Sequence, residues 1–190
     1  MLENTIQKLL KSGFNNINIL STDKICVIEN IKKLLIKNKI YNQQLNIIID
    51  KNELNQAIMN YLKRNSSNIM ILMSDLPLLN KKTIKKITLS CNNNVDILIQ
   101  PSHGGGTNIL YLKDASHFKV RYNGNSFLKH IDEAKKNNLR LKIFDSYILS
   151  IDFDNYEDII HIIIYGKGKI KSFLKKYFSV DENYQLIRIK

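Results

Sequence analysis

Four short stretches of this 190-residue chain carry residue types at spacings suited to chemistry. In Ile148-Leu149-Ser150-Ile151-Asp152-Phe153-Asp154 two carboxylates stand at i and i+2, which puts them on one side of an extended chain. Two acids held so close repel unless a cation lies between them. Magnesium suits them, since it takes a few carboxylates and fills its octahedron with water and phosphate oxygens. The plainer alternative is that Asp154 or Asn155 caps the helix holding Glu157 and Asp158, with Asp152 merely exposed. In Ile69-Met70-Ile71-Leu72-Met73-Ser74-Asp75-Leu76-Pro77, Asp75 stands where an apolar run ends and Pro77 fixes the turn. A carboxylate there holds a divalent cation against phosphate, or simply accepts from turn amides.

The other two stretches suit anions. Pro101-Ser102-His103-Gly104-Gly105-Gly106-Thr107-Asn108 has three glycines that let backbone amides approach an anion, followed by two side-chain donors. It also reads as a flexible surface loop. Tyr122-Asn123-Gly124-Asn125-Ser126-Phe127 is a turn leading into a helix whose first amides are free, with Ser126 as an added hydroxyl or as a simple cap. No GxGxxG or GxxxxGK[ST] pattern occurs, so a dinucleotide fold and a P-loop have no motif support. The histidines (His103, His117, His130, His161) lack HExxH spacing, which argues against zinc.

The elements that must position these residues alternate. Helical periodicity runs over 2–12, ending at Gly13, then over 52–64, 80–90, 126–138, 156–165 and 168–177. The 24–40 segment is ambiguous and reads as mostly helix. Strand-like runs cover 17–20, 45–49, 69–73, 95–99 and 109–112, then Ile143, 148–151 and 185–189. Residues 69–73 form an uninterrupted apolar run, expected of a strand covered on both faces. The pattern predicts one α/β domain with a mostly parallel sheet, and such sheets bind ligands beyond the carboxyl ends of their strands.

Composition excludes several classes. Hydrophobic residues make up 44% and charged residues 24%, which is globular usage rather than a disordered tail or a disulfide scaffold. No run approaches a membrane-spanning length, and the N-terminus lacks a signal peptide's apolar middle. The net charge of +12 invites a nucleic-acid reading. However, 25 of the 29 basic residues are Lys and only Arg64, Arg121, Arg140 and Arg188 are Arg. The lysines are dispersed, as in Lys32/Lys33, Lys81/Lys82, Lys85/Lys86 and Lys135/Lys136. That describes a solvated surface that attracts small anions rather than a groove built to read bases. Cys26 and Cys91 are in no CxxC pattern, which fits reduced thiols in the cytoplasm.

The order SDLPLL, GGGTN, GNSFLKH, DFDNYEDI resembles the archaeal 2-phospho-L-lactate guanylyltransferase family, over nearly the whole chain. The resemblance also takes in DKNELNQAIMNYLK and YGKGKIKSFL. It implies a single-domain Rossmann-like nucleotidyltransferase, of the nucleotide-diphospho-sugar transferase type. It implies an enzyme that moves GMP from GTP to 2-phospholactate, or to phosphoenolpyruvate in related enzymes, for synthesis of the deazaflavin coenzyme F-420. Asp75, Asp152 and Asp154 match the family's magnesium-binding acids. Thr107, Ser126 and Gly124, or Asn123 with a one-residue slip, match residues that hold the three-carbon phospho-acid, with Gly105, Gly106 and Asn108 beside them. His103 stands where relatives often have Lys or Arg. A homodimer without nucleic-acid or membrane partners is expected from the family.

One departure is large. The family begins with a strand and a loop rich in Lys, Arg and Pro that wraps the nucleotide phosphates. This sequence starts at a Met matching the helix after that loop, so domain 1–190 is expected to be N-terminally incomplete relative to the family. Rival readings are a sugar-phosphate or molybdopterin nucleotidyltransferase, a basic nucleic-acid-binding protein, and a non-catalytic remnant that keeps only the phospho-acid pocket.

Overall fold

The computed structural model describes residues 1–23 and 44–189. The helix expected over 24–40, Cys26 and the Lys32/Lys33 pair lie outside the described residues. The chain opens with α1 (Leu2–Leu10), β1 (Asn16–Ser21), β2 (Gln44–Ile49), α2 (Leu54–Leu62) and β3 (Ser67–Leu72). It continues with α3 (Lys81–Ser90), β4 (Ile97–Pro101), β5 (Thr107–Asp114), α4 (Ser126–Lys136) and β6 (Leu141–Ile143). The last third holds α5 (Tyr147–Ser150), α6 (Tyr156–Tyr165), α7 (Lys169–Leu174), β7 (Phe178–Val180) and β8 (Leu186–Arg188).

The central sheet has the order β3-β5-β4-β6. β4 and β6 pair in parallel, and β5 runs antiparallel to both β4 and β3. Three of its four strands therefore share a direction, and β5 alone opposes them. β4 and β5 show why this sheet forms the core. Ile97, Ile99, Leu110 and Leu112 face one apolar cluster with Ile58 and Leu62 of α2 and Ala134 of α4. Leu98, Ile109 and Tyr111 alternate to the other face, against Ile84 and Ile87 of α3. Period-two alternation with apolar residues at every step needs cover on both sides, and helices supply it.

Helix ends follow local chemistry. Gly13 takes φ +93° just beyond α1, and its N–H donates to Leu10 O. Asn80 caps α3: its Oδ1 accepts from the Thr83 N–H at 3.1 Å, while Thr83 Oγ1 accepts from the Asn80 N–H at 3.2 Å. Among the described residues one expected element differs in kind. The apolar run 148–151 is a helical turn, not a strand. The Leu149 and Ser150 N–H groups donate to Ser146 O, and Leu149 and Ile151 are fully buried. A four-residue apolar run has no periodicity to separate a strand from a buried turn.

β1 and β2 form a separate parallel pair, and β3 pairs only with β5 among the described residues. Between β1 and β3 lies an apolar slot of about 420 Å³. Leu2, Thr5, Ile6 and Leu9 of α1 and Leu54, Ile58 and Tyr61 of α2 line it together with both strands. Ile69–Met73, apolar at every position, is accordingly only half-buried.

Candidate active site

The carboxyl ends of β3 and β4 carry the sequence-singled residues. β3 ends at Leu72, and the Met73 N–H donates to Asn108 O at 3.0 Å, so the chain entering Ser74-Asp75 is pinned against the start of β5. β4 ends in a tight reversal. The Ser102 N–H donates to Gly106 O at 2.9 Å and the Gly106 N–H donates to Ser102 Oγ at 2.8 Å. A Cβ on Gly106 would lie 2.8 Å from that Oγ, so any side chain there displaces the Ser102 hydroxyl from this reversal. The third segment, 151–155, is tied to this scaffold. Asn108 Nδ2 donates to Leu149 O at 2.9 Å, and the His103 N–H donates to Ser150 O at 2.8 Å. Asp158 Oδ2 accepts from the backbone N–H groups of Asp154 and Asn155 at 3.0 and 2.7 Å. Asn155 is the N-cap of α6, which leaves the side chains of Asp152 and Asp154 out of the capping.

These segments enclose one cleft of about 620 Å³. It is lined by Asp75, Asp152 and Asp154 on one part and by His103, Gly106, Thr107, Asn108, Gly124 and Ser126 on the other. Gly105 is not among the lining residues; it takes φ +80° and its carbonyl accepts from the Phe127 N–H at the start of α4, so it shapes the cleft from behind. Gly124 takes φ +58° in the turn before α4, and Lys129 Nζ clips that turn by donating to Asn123 O at 2.7 Å.

The acids feel one another. Burial pushes the Asp75 carboxyl above the usual carboxylate range, and the charge of Asp154 adds to it. Asp152 is raised by burial too, with Asp154, Asp158 and Asp75 adding their charge. Buried polar atoms without a partner are rare in folded proteins. Among the side chains of the described residues there are two, Asp75 Oδ1 and Tyr122 Oη, and both residues line this cleft. The donor set, three carboxylates with one buried oxygen unpartnered, fits a hard divalent cation. No three ligating groups among the described residues surround a common point as they stand. That is compatible with magnesium, which takes one or two carboxylates and completes its shell from water and phosphate.

Sequence reasoning passed over Ser102, Tyr122, Glu157, Asp158 and His161, which also line the cleft. His161 Nδ1 lies 2.8 Å from Tyr147 Oη, and its ring centroid is 6.3 Å from that of His103. Their only sequence signal was nearness to a motif: Ser102 adjoins the glycines, and Tyr122 precedes NGNS.

A model of the family described as guanylyl transferase CofC like matches residues 3–185. The chain belongs to this family. It is 35% identical to the 2-phospho-L-lactate guanylyltransferase of Methanosarcina barkeri over 95% of the chain and 80% of that protein. It is 32% identical, over the same shares, to the enzyme of that name from Methanosarcina mazei. In a shorter stretch, 56% of the chain and 48% of the relative, it is 46% identical to the Methanocaldococcus jannaschii protein of that name. Solved structures share the fold of this CofC-like chain at low identity. A protein described as a nucleotide-diphospho-sugar transferase from Desulfovibrio desulfuricans aligns with TM-score 0.66 at 13% identity, over 92% of this chain and 80% of that one. A 4-diphosphocytidyl-2C-methyl-D-erythritol synthase from Anaerococcus prevotii aligns with TM-score 0.59 at 13% identity, over 92% and 88%. The α/β fold expected from the element pattern is that of the nucleotide-diphospho-sugar transferases. No helix among the described residues is long and apolar enough to cross a membrane.

Proposed function

We propose that this guanylyltransferase moves GMP from GTP onto (2S)-2-phospholactate, or onto phosphoenolpyruvate, and releases pyrophosphate. The reaction supplies a step of deazaflavin coenzyme F-420 synthesis. The observation that carries the reading is the gathering of three acids and the Thr107–Gly124–Ser126 group around one cleft, in a chain of this family. The hydrogen-bonded Thr107–Ser126 pair donates to the phospho-acid's phosphate, and Gly124 leaves room for its approach. A phosphate oxygen of the acceptor attacks the α-phosphorus of GTP. The bond from that phosphorus to the bridging oxygen breaks, and pyrophosphate leaves with the electron pair. The acceptor phosphate is already ionised, so the protein supplies no nucleophile or base; its work is positioning. Asp75, Asp152 and Asp154 would hold Mg²⁺, which supplies positive charge against the phosphates. The chain works in the cytoplasm as a homodimer, without nucleic acid or membrane, and light scattering on a sizing column tests the dimer.

Pyrophosphate release from GTP, measured with phospholactate, phosphoenolpyruvate and 3-phosphoglycerate, tests the function. Release with one of the first two supports it. Binding of a phospho-acid without release marks a non-catalytic pocket instead. Asp152→Asn should lower turnover at least about 100-fold, the scale of removing a preorganised charge from such a site, with the thermal midpoint not lowered. Full activity in that variant removes Asp152 from the mechanism.

A further inference from the structure

His130 lies on α4, completely buried, and does not line the cleft. Its two ring nitrogens have different neighbours. Nε2 is 2.9 Å from the backbone nitrogen of Arg121, whose N–H can only donate. Nε2 is therefore the acceptor, and in the neutral ring the proton resides on Nδ1. The ring is neutral at ordinary pH: burial, with the charge of Arg121 adding to it, lowers its pKa to about 4. Nδ1 lies 2.9 Å from Thr107 Oγ1, so the ring donates to that hydroxyl. Thr107 Oγ1 is in turn 3.2 Å from Ser126 Oγ, and both side chains are buried where they border the cleft.

Counting protons settles what this pair presents. Thr107 and Ser126 carry two hydroxyl protons. One lies in the bond between them. Thr107 cannot give the other to His130, because the ring is already donating. One hydroxyl proton is left over, whichever of the two oxygens carries it. With the opposite tautomer, Nδ1 would accept from Thr107, Thr107 would accept from Ser126, and no proton would remain. The pair would then show an anion only lone pairs.

We infer that His130 is a positioning residue: the Arg121 amide locks its tautomer, and the locked ring sets the Thr107–Ser126 pair as a hydrogen-bond donor to a phosphate oxygen of the acceptor. His130 itself touches no ligand. The inference rests on the reading that Thr107 and Ser126 face the phospho-acid, and it adds the group that fixes their polarity.

Two measurements on the full chain test it. Long-range ¹⁵N–¹H correlation spectra of the unliganded protein should show His130 neutral with its proton on Nδ1; a proton on Nε2 overturns the inference directly. Calorimetric titration with 2-phospholactate then compares variants. His130→Leu, which removes the donor at similar volume, should weaken binding about tenfold or more, the scale of one hydrogen bond to a charged group. His130→Asn places an amide N–H near the Nδ1 position and should recover most of that loss. GTP affinity should not move in either variant. Equal losses for Leu and Asn, or no loss in Leu, overturn the relay. Thr107→Val keeps the two failures apart. If it leaves phospho-acid affinity unchanged, or if the unaltered chain binds neither phospholactate nor phosphoenolpyruvate, the reading of the pocket itself is wrong. If Thr107→Val weakens binding and His130→Leu does not, only the role of His130 is wrong.

Discussion

His130 makes the folded state acid-sensitive. Its pKa is lowered to about 4, against 6.5 for an ordinary histidine. As pH falls below about 6.5 the unfolded chain takes up a proton that the folded chain refuses, so stability falls until the folded pKa is reached. Asp75 and Asp152 act with the opposite sign. Their raised pKa values mean that the folded chain takes up protons first, so acidification through that range stabilises it. His130→Asn isolates the histidine. In metal-free buffer the unaltered chain should lose stability relative to this variant by up to about 1.4 kcal/mol per pH unit between pH 6.5 and 4. Urea unfolding at several pH values measures this, and parallel curves for the two proteins would refute the assignment. When Mg²⁺ is limiting, turnover should fall on the acid side, because protons compete with the cation for Asp75 and Asp152, whose pKa values burial raises in the metal-free chain. The acids were legible in the sequence because DFD and SDLP are contiguous motifs next to apolar runs. His130 was not, since its partners Thr107 and Arg121 lie 23 and 9 residues away and only the fold joins them.

The short segment 151–155 carries two of the acids, and one side chain bonds two of its amides. Asp158 accepts from the amides of both Asp154 and Asn155 from the first turn of α6. Asp158→Ala leaves those amides without their acceptor and should cost about 1–2 kcal/mol, as the loss of a helix cap does. It should also lower turnover, because Asp152 and Asp154 lose their fixed backbone, while Asp158→Asn keeps one acceptor oxygen and should lose less of both. Chemical unfolding and the pyrophosphate assay check the pair; an Ala variant with full activity would show that the bonds from Asn108 Nδ2 to Leu149 O and from the His103 N–H to Ser150 O suffice to hold the segment. At this scale the sequence is a good guide where periodicity is long. α3 begins at Lys81, one residue inside the expected 80–90, and α4 and α6 begin at the expected 126 and 156. Boundaries drift where the ladder, not the residue type, sets the end. β5 runs from Thr107 to Asp114, beyond the apolar 109–112, because β3 and β4 on its two sides extend the pairing. β7, Phe178–Val180, has too few residues to show a period, and exists because it pairs with β8 over the apolar cluster of α6 and α7.

At the scale of the whole molecule the apolar slot between β1 and β3 is the feature that the element pattern does not explain. A run such as Ile69–Met73, apolar on both faces, is expected to be covered on both, yet it is half-buried along the slot. Each wall is a strand with no described partner on that side, and such edges invite a further strand. The place of α1 says how that strand would run. Thr5 Oγ1 donates to Ser74 O just past the end of β3, which puts the first turn of α1 at the cleft end of the sheet. A strand lying along β3 in the same direction would finish there and feed α1, making a β-α-β unit with β1. Joining six β-branched apolar residues and a short loop ahead of Met1 should therefore raise the thermal midpoint by about 4 °C or more, the shift that roughly 1–2 kcal/mol gives in a domain of this size. Hydrogen exchange should show new protection at the amides of 17–20 and 69–72. An extension of equal length with proline at alternate positions cannot complete the ladders and should give neither effect. If both extensions stabilise equally, or if protection appears without the extension as concentration rises, the slot is filled by some other segment or by a second copy. The cleft and the slot share Leu54 and Met73 in their walls, so a strand that fills the slot also fixes the approach to Asp75, and turnover should rise together with the thermal midpoint.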